Sequence, residues 1–83
     1  MNRKTAVFYD KVEHLARAYF GPDGARHIDK IVEVHLRKPP QKITKNELVG
    51  LIDLIEEAAT FMAEDKNITD QYIKDLLALA ESN

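Results

Sequence analysis

Cysteine is absent from this chain, and with it go disulfide staples, thiolate metal sites and any redox chemistry at sulfur. A reducing compartment suits such a chain, so a cytoplasmic protein is expected. Serine occurs once, at Ser82, and there is no Gly-x-Ser-x-Gly turn and no glycine-rich phosphate cradle. Glu56 and Glu57 are neighbours on a helix and so point about 100° apart, which makes a poor acid–base pair. These gaps weigh against an enzyme and against a bound cofactor. Long apolar runs are missing too, so no segment reaches bilayer-spanning length and no membrane partner is expected. The basic start, Met1-Asn2-Arg3-Lys4, leads into an amphipathic segment with Asp10 and Glu13, not into an apolar export core. With a formal charge of -2, the surface as a whole has no field to hold polyanions, and nucleic acid is not the favoured partner.

What is present suits one small helical domain over 1–83. The composition is 45% hydrophobic and 31% charged. A chain this short buries only roughly 60 to 70% of its unfolded surface, so stability is thin unless a partner adds to it. The 3.6-residue periodicity predicts four helices, over about 5–19, 24–37, 45–64 and 70–81, forming a small all-α four-helix bundle. In the first, Phe8, Val12, Leu15, Ala16 and Tyr19 share a face, and Gly21-Pro22 ends it. Asp23 reads as the N-cap of the second, and Pro39-Pro40 as its stop. On that helix Arg26, Asp29, Lys30, Glu33 and Arg37 fall within an arc of about 100°, a polar strip narrow enough to imply neighbours on several sides.

The sharpest local signal is Ile43-Thr44-Lys45-Asn46-Glu47-Leu48. Thr44 and Glu47 can exchange side chain-to-backbone hydrogen bonds as a capping box, and Ile43 can clamp Leu48 across it. The third helix then carries Leu48, Leu51, Ile52, Ile55, Ala58, Ala59 and Met62 on a core stripe. Beside it runs a second strip through Gly50, Leu54 and Phe61. Glycine inside a helix costs about 1 kcal/mol relative to alanine, so Gly50 suggests a close backbone approach. Ile68-Thr69 repeats the opening device about 25 residues on. Two copies are too few for a solenoid, and the repeat reads as two helices solving one capping problem, with Thr69 as the second cap.

Candidate chemistry is sparse. His27 and His35 share the second helix without the i,i+4 spacing of a zinc helix, and His14 stands on the first; no metal is expected. On a helical wheel His35 falls inside the apolar stripe, where charging an imidazole is costly, so it is a candidate pH-sensitive group. Oxygen side chains alternate through Asp65-Lys66-Asn67-Ile68-Thr69-Asp70, but a calcium loop needs glycine where Asp70 stands and glutamate where Leu76 stands. Arg37, Lys38, Lys42 and Lys45 surround Pro39-Pro40 and could neutralise a few phosphates. Against that, Asp29 and Glu33 would face phosphate with the wrong charge.

The remaining feature is apolar surplus: a broad stripe on the second helix, the extra strip on the third, and Tyr72 and Leu79 widening the fourth. The leading expectation is a non-enzymatic protein–protein interaction or regulatory module, acting through an apolar helical surface with Gly50, Leu54 and Phe61 in it, as a homodimer. The alternative is a small DNA-associated transcriptional regulator using the basic 37–45 loop.

Overall fold

The computed structural model describes residues 3–82, with side chains described from Val7 onward. Met1 and Asn2 of the basic start lie outside the described residues. The chain is an all-α bundle of α1 (Arg3–Phe20), α2 (Pro22–Leu36), a 3-10 turn (Pro40–Lys42), α3 (Lys45–Gly50), α4 (Ile52–Met62) and α5 (Lys66–Glu81). No strand occurs among the described residues. The four longer helices contact one another around a ring, α1 to α2 to α4 to α5 and back to α1, and α3 packs on α5.

The turn between α1 and α2 is a single residue. Gly21 takes φ 68° and ψ −155°, a backbone region open essentially to glycine, and its N–H bonds the Arg17 carbonyl at 2.8 Å. Pro22 blocks continuation of α1 and at the same time opens α2, because its fixed φ suits a first helical residue and its missing N–H would be unpaired there anyway. Asp23 is therefore not the N-cap. It lies inside the first turn, paired with Arg26 at 3.4 Å. At the other end Arg37 stands in the left-handed conformation, φ 54° and ψ 43°, and its N–H closes α2 on the Glu33 carbonyl.

The capping box forms as the spacing implies. The Glu47 N–H donates to Thr44 Oγ1 at 3.2 Å, the Thr44 N–H donates to Glu47 Oε1 at 3.0 Å, and Ile43 and Leu48 are both buried. The helix it opens is shorter than the periodicity predicts. At Leu51 the backbone flattens to φ −98° and ψ 1°, its N–H reaching the carbonyls of both Glu47 and Leu48, and α4 starts afresh at Ile52. Gly50, the weakest helix former in the segment, immediately precedes that break. It is exposed, and a Cβ built on it would meet nothing within 4 Å, so the close backbone approach expected there is not found. The approach occurs at Gly24, whose α-carbon sits against the Ala16 carbonyl of α1.

The cap of α5, Asp65, stands four residues before the expected one. Asp65 Oδ1 accepts the N–H groups of Asn67 at 2.8 Å and Ile68 at 3.2 Å, and Thr69 is buried one turn inside the helix. The core gathers Val12, Ala16, Ile28, Val32, Leu48, Ile55, Ala59 and Leu76 with Tyr9 and Tyr72. Part of the apolar surplus is thereby used up inside the chain. Tyr72 is fully buried, edge-on to Phe20 at 5.0 Å, and Leu79 packs against the core.

Candidate functional site

The face that remains is built by α2 and α4. α4 turns Glu56 and Thr60 toward α5, since both line a groove with Lys66, Thr69 and Asp70, so its other flank, with Leu54, Ala58 and Phe61, turns toward α2 and away from the core. α2 turns Asp29 toward α1, where the Tyr9 hydroxyl donates to Asp29 Oδ1 at 2.8 Å, so its other flank, with His27, Ile31 and Val34, turns toward α4. The two flanks make one outer surface. Phe61 is 86% exposed, Val34 57% and Leu54 36%, with Ile31 and Ala58 half-buried between the helices. Large side chains left this open on adjoining helices form an apolar patch, and it is the candidate contact face of the chain.

Of the three residues that sequence singles out for an interface, Leu54 and Phe61 share this patch and Gly50 does not continue it on the same helix. The turn at Leu51 separates Gly50 from α4. Val34 belongs to the patch as well. Its signal was its wheel position beside His27.

The basic loop is less free than its composition implies. Lys38 Nζ donates to both oxygens of Glu47, at 2.8 and 3.0 Å, which ties the loop to the capping box. Lys45 Nζ donates to the backbone carbonyl of Ser82. Arg37 and Lys42 are exposed, and Arg37 lines a shallow groove with Asp29, Glu33 and Lys38. The Lys38 contact and the Thr44 N–H together hold the Glu47 carboxyl below its ordinary pKa.

His35 does not occupy the apolar face. It is exposed in the last turn of α2, as are His14 and His27 on their helices, so the burial expected of it is not found. No group of three histidine, aspartate or glutamate side chains among the described residues is arranged to hold a metal.

Two polar features escaped the periodicity. Tyr9 is buried at 5% exposure, and its hydroxyl lies 2.7 Å from Glu13 Oε2 as well as 2.8 Å from Asp29 Oδ1, so a single phenolic proton serves two carboxylates. Burial, reinforced by those two acceptors, pushes its pKa up. Tyr19 donates to Asp75 at 2.6 Å across α1 and α5. Beside that bond a groove of about 580 Å³ runs between α1 and α5, floored by Leu15, Ala78 and Leu79, with Lys11, His14, Asp10 and Asp75 also lining it. Charges of both signs line it.

No protein-family model matches the chain, and comparison with curated proteins and with solved structures finds no match. The class is therefore defined by the fold, a small all-α helical bundle. No helix among the described residues is long and apolar enough to cross a membrane.

Proposed function

We propose that this chain is a non-enzymatic interaction or regulatory module that works in the cytoplasm as a homodimer, joined through the outer face of α2 and α4. The observation that carries this reading is Phe61, 86% exposed on the same surface as Leu54 and Val34. An exposed phenylalanine with apolar neighbours regains about 25 cal/mol for each Å² of apolar area a second chain covers, and small bundles complete their cores in this way. Sedimentation of the wild-type chain at micromolar concentration is the test. A dimer is expected, with Leu54→Glu and Phe61→Ser each driving it to monomer while far-UV circular dichroism stays unchanged. A wild-type monomer under those conditions ends the reading.

A second reading, a DNA-associated regulator, is favoured by one observation: Arg37 before the 3-10 turn and Lys42 at its end both stand exposed. The engagement of Lys38 and Lys45 within the chain leaves it two of its four cations. Binding to duplex DNA that weakens steeply with salt and is lost in Arg37→Glu/Lys42→Glu would support it. Salt-independent or absent binding would end it.

A further inference from the structure

The α2/α4 face carries a charge pattern as well as an apolar one. On α2, Lys30 stands one turn before Val34 and about 40° further out on the wheel, and on α4, Glu57 stands one turn before Phe61 with the same outward offset of about 40°. Both are exposed, and neither has an ion-pair partner among the described residues. That edge of α4 carries Asp53 and Glu57, and the helix has no cation, so the rim is acidic. The corresponding rim of α2 offers Lys30 beside His27.

Two helices side by side can meet a second copy of themselves about a two-fold axis in only two simple ways. With the axis across the helices, α2 lies on α2 of the second copy and α4 on α4. With the axis along them, α2 of each copy lies on α4 of the other. The first arrangement stacks the acidic α4 rim on itself and Lys30 near Lys30. The second brings the Lys30 edge of one copy over the Glu57 edge of the other, on the same side of the interface.

The levels also match. The start of α2 lies beside the end of α4, since Asp23 and Met62 line one groove, so the two helices run antiparallel. Counting along both from that point sets Lys30 level with Ile55 and His27 level with Ala58. A two-fold axis along the helices preserves those levels, leaving Glu57 within about one half-turn of Lys30 of the second copy.

We infer that the homodimer is crossed, with α2 of each copy seated on α4 of the other, Val34 against Leu54, Phe61 over the start of α2, and Lys30 paired with Glu57 between copies at both edges. This rests on the reading of the α2/α4 face as a self-association surface. Such rim pairs choose the register more than they add affinity.

The experiment is sedimentation equilibrium at low ionic strength on wild type, Lys30→Glu, Glu57→Lys and the double variant, with circular dichroism confirming equal helix content. In the crossed dimer each single variant places two like-charge pairs in the interface and weakens dimerisation by roughly three- to tenfold. The double variant restores opposite charges at both edges and recovers wild-type affinity, as does an equimolar mixture of the two single variants. Added salt shrinks all these differences. Single variants that dimerise as wild type does, or a double variant no tighter than the singles, overturn the crossed arrangement while leaving self-association standing. A wild-type monomer removes both.

Discussion

Gly24 packs so closely on the Ala16 carbonyl that an added Cβ would collide with that oxygen and stand 3.0 Å from the Phe20 Cβ. Both obstacles belong to α1 backbone or to the base of a side chain, which cannot swing aside. Gly24→Ala is therefore expected to push α1 and α2 apart and to cost about 1–3 kcal/mol, the usual range for overpacking. Gly50 is the internal control. Its added methyl would enter open space at a backbone angle any residue tolerates, so Gly50→Ala is expected to stabilise by about 0.4–1 kcal/mol through the unfolded chain. Urea unfolding of the two variants separates them, and a Gly24→Ala protein as stable as wild type would contradict the close approach.

The start of α5 gives the second prediction. Thr69 is 3% exposed and its Oγ1 has no hydrogen-bond partner among the described residues, whereas Asp65 accepts two backbone N–H groups. Removing an unpaired buried hydroxyl in an isosteric side chain should relieve its desolvation cost, so Thr69→Val is expected to stabilise by about 1 kcal/mol. Asp65→Ala should cost about 1 kcal/mol, as loss of an N-cap does. Thermal or urea melts showing the opposite order would return the cap to Thr69.

Local devices were legible in sequence and tertiary choices were not. The Thr44–Glu47 box and the Gly21-Pro22 break need only their own neighbours, and both stand where the spacing put them. At α5 two competent caps lie four residues apart, and the choice falls to packing: a helix beginning at Lys66 carries Thr69 into the core, and its first turn is closed by Asp65. The glycine signal at residue 50 implies a close approach that occurs instead at residue 24, because only the neighbouring helix distinguishes them. His35 fits the apolar stripe by angle but stands exposed in the last turn of α2. Lys38 meets Glu47 across a loop, a pairing with no periodicity to announce it. For the candidate face, Leu54 and Phe61 were visible as a strip. Their union with Val34 required the α2–α4 packing.

Lys38 and Glu47 supply a pH prediction. The Lys38 hydrogen bond first, and the Thr44 backbone bond second, hold the folded Glu47 pKa below its unfolded value. A depressed folded value means that the contribution is fully present above the unfolded pKa and is lost as pH falls through the folded one. Lys38→Met should move the Glu47 titration up toward the ordinary carboxylate range, read by NMR at the side-chain carboxyl, and should shift part of the acid-induced loss of stability to higher pH. An unmoved midpoint in that variant would mean the ion pair does not hold in solution.

The tyrosines predict the alkaline limit. Burial, then Glu13 and Asp29, raises Tyr9; burial raises Tyr72; and the Asp75 hydrogen bond, then burial, raises Tyr19. A raised folded value gives stability that is intact below the ordinary phenol value near 10 and is lost progressively above it, because the unfolded chain releases its protons first. Phenolate absorbance should therefore stay low in the native chain as pH passes that value, and then appear together with loss of helix. In urea all three phenols should titrate at the ordinary value. Tyr9→Phe removes the one proton shared by Glu13 and Asp29 and should cost about 1–2 kcal/mol at neutral pH. Gradual phenolate formation near pH 10 with the helix signal intact would show that Tyr9 and Tyr72 are open to solvent and that the α1–α2 junction is looser than their burial implies.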